Sequence, residues 1–428
     1  MCSLRAFERP TLVVLSRPIM LSRLGGMSTT RTAIIIGGGP AGLLAASHLA
    51  GAGVSTTLLE ARTGFGGRAA SEREHGFLLN QGPHALYVGG PAMRELKALD
   101  IELPGWNPTA LMRSVFIREG KTRRAPGGTV ALGRWIAAVA RGKMGEDLAG
   151  ISVNAWLDRS LDGAARETAA ALIRVTTFVA DHDRLSADVA AGQIRLGLAG
   201  GVRYLRGGWQ SLVDALAAQG ERRGATLRAG ARVRGLDGEA GRWIVTLDGE
   251  QLRCDVVIVA AGGLDAVARL LGDRTPVATG PAVEVSSLDV GLRRLPKPMR
   301  RFALGVDEAT YLSRHSPPDH EGPQLLTVMS YARAPLGELE AIADTVQPGW
   351  RDELTLHRHL PRMVASSALT RPQTGGLSGR PGVVVEPGLF VAGDWIGPEG
   401  WLSDASLASA AAAARAATGV DAATALAA

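Results

Sequence analysis

Cysteine is nearly absent: Cys2 and Cys254 are the only two in 428 residues. Two thiols so far apart exclude a disulfide framework and a cysteine-bound zinc cluster, and they point to a reducing, cytoplasmic setting. Lysine is equally scarce, with Lys97, Lys121, Lys143 and Lys297 making up four of the 47 basic residues. The net charge of +6 therefore rests on arginines dispersed among alanines rather than on a basic block, so nucleic acid is not an expected partner. The nearest approach to a cluster, Arg118, Lys121, Arg123 and Arg124, reads as a hairpin tip. No uncharged apolar run approaches the ~18 residues that a membrane span needs. Aromatics amount to only 4%.

What is abundant is glycine, 55 residues, and hydrophobic side chains, 46%. Such a chain can bury a sizeable core, and its length suits two domains at ~100–200 residues each. Residues 1–26 differ from the rest: Arg5, Arg9, Arg17 and Arg23 face a single acid, Glu8, and the apolar stretch 11–15 is too short for a signal-peptide core. This segment reads as a disordered extension or as a start called too early, with Met27 the true one; a targeting peptide is the lesser reading.

The folded chain opens on a β-branched apolar run, Ala33 to Ile36, followed by Gly37-Gly38-Gly39-Pro40-Ala41-Gly42 and a helical stretch at 43–51. This is G-x-G-x-x-G in the context it requires. Gly37 permits the tight turn, Gly39 lets the backbone approach a pyrophosphate, and Gly42 lets helix and strand pack closely. Unpaired amides and the dipole at the helix start favour phosphate. A second apolar strand, 54–59, ends in Glu60, 18 residues beyond Gly42. A carboxylate there accepts hydrogen bonds from ribose hydroxyls and repels a 2′-phosphate, which argues against NADP. No second glycine motif with a downstream acid follows, because Ala261-Gly262-Gly263 lacks the pattern.

Further landmarks lie downstream: Ala61-Arg62, then Gly66-Gly67-Arg68, then Asn80-Gln81-Gly82-Pro83-His84. Near the other end, Gly388 to Asp394 reads as a strand ending in an acid, with Gly400-Trp401, Asp404 and an alanine-rich helix from Ala405 beyond it. With these residues the chain resembles the FAD-dependent amine oxidase, phytoene desaturase and protoporphyrinogen oxidase superfamily. The half outside the FAD motifs most resembles the bacterial phytoene-desaturase-like NAD(P)/FAD-dependent oxidoreductases.

The resemblance implies an α/β fold: a Rossmann-like FAD-binding domain of the two-dinucleotide-binding flavoprotein type, with a second, substrate domain of mixed sheet plus helices. It places the FAD domain at 27–92, 200–275 and 375–428 and the substrate domain at 93–199 and 276–374. It implies that Gly67 and Arg68 lie along the FAD, Arg68 reaching the pyrophosphate. Gly82, Pro83 and His84 would flank the flavin, and a backbone pair at Val233 would hold adenine. Gly393 and Asp394 would meet the ribityl chain or pyrophosphate. The helix start at Ala405, beside Trp401, would point its amides at the flavin's pyrimidine edge.

Within the substrate half, residues 108–126 read as a hairpin beginning with Met112-Arg113. Helical patterns follow at 130–142, 152–160, 164–180 and 184–198. Strands are expected at 283–293, 302–314 and 324–331, in a mixed sheet with helices on one side. The apolar stretch 130–140 reads as a core helix in preference to a monotopic membrane contact.

The resemblance implies dehydrogenation or desaturation of a small, fairly apolar metabolite by hydride transfer to flavin N5, with O2, a quinone or another acceptor taking the electrons. Amine oxidation is the alternative. It is disfavoured because the four tyrosines match no paired aromatic cage and Trp401 lacks an evident partner. A structural FAD serving an isomerase or a binding protein is a further alternative. Catalytic residues are not assigned; His84, Tyr311 and Trp401 are candidates, with His315 beside Tyr311. His182 lies between two acids, and His357 and His359 resemble a metal pair. No metal is expected, and the 357–362 segment, with Arg358 and Arg362, reads as a solvated or domain-edge face.

Overall fold

The computed structural model describes residues 30–108, 114–124, 127–143, 147–239 and 241–419. Met27, Met112 and Arg113 lie outside the described residues.

Two sheets organise the chain from Arg31 onward. The first runs in the order Thr226–Arg228, Ser55–Leu59, Thr32–Ile36, Val256–Val259, Leu389–Val391, Val384–Glu386. The first five strands are parallel, and the last pairs antiparallel at the edge. Its central strands are apolar throughout because both faces are covered. Ile35, Ile258 and Phe390 pack under the helices Pro40–Gly51, Gln210–Arg222 and Ser403–Thr418. Their neighbours Ile34, Ile36, Val257, Val259 and Val391 pack against the antiparallel meander Val233–Glu239, Arg242–Leu247, Glu250–Cys254. Proline suits the first turn of a helix, so the first helix begins at Pro40 rather than at 43.

The second sheet has seven strands: Leu354–Ser366, Val283–Leu292, Gln324–Ser330, Thr310–Arg314, Phe302–Gly305, Ser114–Arg118 and Lys121–Arg123. Only the Phe302–Gly305 and Ser114–Arg118 pair is parallel, so the sheet is mixed. Glu119 and Gly120, at φ +52° and +64°, make the tight turn of the last hairpin.

The solvated or domain-edge segment 357–362 lies in the edge strand Leu354–Ser366, with His357 and Arg362 exposed. Two expectations need correction here. The segment 302–314 is two antiparallel strands rather than one. Helices cover both faces of the sheet rather than one. Leu288, Leu312, Leu326 and Val328 pack on the helix Leu336–Val346. The alternate residues Tyr311, Met329 and Val285 face Leu172, Val175 and Phe178 at the end of the helix Gly163–Thr177. That helix packs with Thr129–Ala140, Val153–Ser160 and Ala187–Gly200 around Trp135 and Trp156. Thus 130–140 is a core helix through Leu132, Trp135 and Val139, although Val130 is exposed. Among the described residues no helix is long and apolar enough to cross a membrane.

Candidate functional site

The glycine loop can be tested residue by residue by asking what a Cβ would meet. At Gly37, with φ +117°, it would lie 2.3 Å from the Ala260 carbonyl oxygen. At Gly42 it would lie 1.9 Å from the Gly37 oxygen, so these two glycines serve the packing of strand and helix. At Gly39 nothing lies nearer than the Gly66 oxygen, at 3.9 Å. The space over Gly39 is therefore free of protein, as backbone approach to a pyrophosphate demands. Gly67 borders the same space, its Cβ position 3.8 Å from the Gly39 Cα, and the Gly66 amide donates to the Gly38 carbonyl at 2.8 Å.

Gly39 caps the helix that starts with Pro40 and Ala41, and no side chain satisfies its first amides. The Glu60 carboxylate accepts from the Gly38 amide at 2.7 Å and from the Arg62 amide at 2.8 Å. Each oxygen keeps a second lone pair for a ribose hydroxyl. Beyond Ala61, the Ala231 amide donates to the Glu60 carbonyl and the Gly230 amide to the Arg62 carbonyl, which brings the strand start at Val233 alongside. These groups fit a dinucleotide, with free amides for the pyrophosphate and a carboxylate for the ribose; Arg68, expected at the pyrophosphate, is instead paired with Asp394.

Arg68 and Asp394, 326 residues apart, form a bidentate ion pair at 3.0 and 2.9 Å. Asp394, 1% exposed, also accepts from the Ser367 amide at 2.9 Å. Burial pushes its carboxyl up, but Arg68 and Ser367 outweigh burial and hold it below the usual range. Both the amide and the carbonyl of neighbouring Gly393 bond the Ser409 hydroxyl, which ties this loop to the last helix. Arg380, buried, donates to the Asp394 and Gly400 carbonyls, and burial lowers its pKa to about 10.

The last helix starts at Ser403, with Ala405 fully buried in its first turn. Asp404 turns to the adjacent helix Pro91–Ala98 and accepts from its Ala92 amide at 2.8 Å, as an N-cap supplied from another element. Burial raises this carboxyl to about 6. Trp401 is buried in the helical core, and its Nε1 donates to the Thr177 carbonyl at 2.8 Å. Among the described residues it makes no ring–ring contact, so no aromatic cage partner accompanies it. Tyr87 and Gln193 both donate to the neighbouring Thr176 carbonyl. The end of the helix Gly163–Thr177 is thus pinned by three side chains, and Phe178 follows at φ +61°, a conformation rare for a bulky residue.

Gly82 leads into Pro83 and His84. A Cβ on Gly82 would strike the Met363 thioether at 2.4 Å, so glycine is required where the loop meets the strand Leu354–Ser366. The His84 Nδ1 donates to the Gly82 carbonyl at 3.0 Å, which leaves Nε2 as the acceptor of the neutral ring. Burial lowers its pKa, and its ring lies 4.8 Å from Trp209. His84 lines a cavity of about 270 Å³ together with Tyr204, His315 and Trp106.

Tyr311 is not on the wall of that cavity but behind it. Its hydroxyl bonds the Ser313 hydroxyl at 2.7 Å, and the Ser313 oxygen bonds His315 Nε2 at 2.8 Å. Tyr204 stacks on His315 at 4.5 Å, with its hydroxyl 3.4 Å from Ser313. Burial lowers His315 to about 3 and pushes Tyr311 well up, so the network is uncharged at neutral pH. On the far side of Tyr311, Tyr331, Phe178, Met329 and Met363 form an apolar cluster. The low aromatic content therefore does not yield an aromatic-poor lining, because the few aromatics converge.

The other candidate histidines do not line this cavity. His357 has an acidic partner, Glu340, at 2.9 Å, and stacks on Trp350. Arg358, half-buried, pairs with Asp289 and bonds Glu72 and the Asn80 carbonyl, locking the strand Leu354–Ser366 to the hairpin Ser71–Glu74/Phe77–Asn80. His182 is buried, and burial lowers it to about 4. Among the described residues no group of three or more His, Cys, Asp or Glu side chains is placed to hold a metal ion.

A parallel sheet with a glycine loop, an acid at the end of the second strand and a returning Gly-Asp loop defines a dinucleotide-binding fold. Residues 32–304 match the family described as FAD dependent oxidoreductase, DAO. The chain belongs to that family, and its cofactor is FAD. A coproporphyrinogen III oxidase of Propionibacterium freudenreichii subsp. freudenreichii is 24% identical, covering 67% of this chain and 67% of that one. A lycopene-forming phytoene desaturase of Paracoccus sp. (strain N81106 / MBIC 01143) is 40% identical over 88 residues, covering 21% of this chain and 17% of its own length. Cyclohexylamine oxidase from Brevibacterium oxydans IH-35A shares the fold with a TM-score of 0.68 at 15% identity, covering 91% of this chain and 99% of that one. The chain is thus a FAD-dependent oxidoreductase whose fold is shared with cyclohexylamine oxidase.

Proposed function

We propose that the protein dehydrogenates or desaturates a small, fairly apolar metabolite, and that O2 or another acceptor takes the electrons on. FAD supplies the two-electron acceptor. The observation that carries this reading is the cluster of Tyr311, Tyr331, Met329, Phe178 and Met363 abutting Gly82. Its chemistry suits an uncharged substrate and excludes water from the reacting bond. The names of two relatives, a coproporphyrinogen III oxidase and a lycopene-forming phytoene desaturase, favour dehydrogenation or desaturation over a purely structural FAD.

In this reading the segments 27–92, 200–275 and 375–428 hold the FAD and the intervening segments the substrate. Gly39, Gly67 and the start of the helix Pro40–Gly51 bind the pyrophosphate, and Glu60 the ribose. His84 is the proton acceptor: its Nδ1–H is committed to Gly82, and burial keeps the ring neutral, so Nε2 holds a lone pair ready. Tyr311 orients the His315 ring through Ser313, keeps its hydroxyl proton and takes no part in proton transfer.

The test is an anaerobic titration of the FAD-loaded protein with polyprenes, cyclic alkenes and amines, followed in the visible spectrum. Bleaching by an alkene class supports the reading. Bleaching by amines alone, or by none, overturns it. His84→Ala is expected to keep its flavin and reduce it at least ~100-fold more slowly; an unchanged rate removes His84 from the chemistry.

A further inference from the structure

The cavity beside His84 has a property that an apolar substrate does not explain. Its wall includes two arginines, Arg73 and Arg206, and four of the chain's eight histidines, His75, His84, His315 and His320, and no Asp or Glu lines it. The inner part is flat and aromatic: Tyr204 and His315 lie face to face with an interplanar angle of 7°, and Trp106 stands edge-on to Tyr204 at 5.8 Å. The two inner imidazoles are uncharged through burial, so the positive charge sits at the mouth. There Arg206 pairs with exposed Asp319 at 3.1 Å, and His75 approaches Glu74 at 3.7 Å. Arg73 has no ion-pair partner among the described residues, although it belongs to the strand that also carries Glu72 and Glu74.

We infer that this cavity binds a flat organic anion, its ring against the wall formed by Trp106, Tyr204 and His315 and its carboxylate at Arg73. The inference goes beyond the proposed dehydrogenation and does not depend on it. Aromatic walls give the ring its contact area. A guanidinium without a partner gives the carboxylate a charge-assisted hydrogen bond. A volume of about 270 Å³ is enough for one or two fused rings.

The FAD-loaded protein should be titrated by calorimetry with three matched probes that a flavin does not dehydrogenate at the ring: 2-naphthoate, 2-naphthalenemethanol and 2-naphthylmethylamine. The acid is expected to bind about tenfold more tightly than the alcohol, and the amine most weakly. Arg73→Gln should remove most of the acid's advantage while leaving the alcohol unchanged. Trp106→Leu should weaken acid and alcohol alike. Equal binding of all three probes, no acid binding at millimolar concentration, or an acid affinity indifferent to Arg73→Gln overturns the inference. Because the readout is heat of binding, followed anaerobically with the flavin spectrum as a control for side-chain oxidation, failure of this inference is distinguishable from failure of the redox reading, with which it shares His84.

Discussion

The six-stranded and seven-stranded sheets carry their halves of the site by different means. Around the first, the candidate site lies in the backbone: Gly37, Gly39 and Gly42 act through missing side chains, and the free donors at the helix start are main-chain amides. Around the second, function lies in side chains that meet from distant strands, as Tyr204 does with Ser313 over 109 residues. A backbone site is written in consecutive residues; a side-chain site is written in the register of a sheet.

Mutations can break that contrast. The largest effect is expected at Gly42→Ala, where the added Cβ meets the Gly37 oxygen at 1.9 Å. A loss of about 3 kcal/mol or more in thermal or denaturant unfolding should follow. Arg358→Met should cost about 3–5 kcal/mol, because Asp289, 3% exposed, is left as an unpaired buried acid. Adding Asp289→Leu should restore much of it; if the single variant is as stable as the parent, the lock between hairpin and sheet is not structural.

A smaller effect attaches to Asp404. Its folded pKa of about 6 exceeds the ordinary 3.8, so its contribution is fully present below about pH 4 and is lost as pH rises through 6. Asp404→Asn keeps an acceptor for the Ala92 amide and should flatten stability against pH between 4 and 6 by up to about 3 kcal/mol. An unchanged pH profile would contradict the buried-acid account. Gly39→Val should change stability least, within about 1 kcal/mol, since nothing lies within 3.8 Å of its Cβ position. Yet it should lose FAD, as measured by absorbance after gel filtration. Full flavin occupancy would show that the pyrophosphate lies elsewhere.

The same contrast explains what could be read in advance. The strands Thr32–Ile36, Ser55–Leu59 and Val256–Val259 are short apolar runs bounded by glycine or acid, and each was legible to within a residue or two. The strand Leu354–Ser366 was not, because Pro361 and four basic or imidazole side chains interrupt its pattern. It tolerates them because its charged groups find partners on other elements, Arg358 with Asp289 and His357 with Glu340. Local composition could not show those pairings, since they span 69 and 17 residues. The aromatic convergence was hidden for the same reason: four tyrosines spread over the chain give no local signal.

The parallel sheet also fixes an order in time. Thr32 bonds Asp255, 223 residues further on, and Val259 pairs with Val391 only after most of the chain exists. At ~5–20 residues per second of synthesis, the glycine loop waits on the order of 20–70 s before its sheet is complete. Until then Val257 and Val259 have no parallel neighbour on one side, and the Arg68 side chain has no Asp394. Stable cofactor capture is therefore a late event in the life of each chain, timed by the strand Leu389–Val391 rather than by the motif that announces the cofactor at the other end.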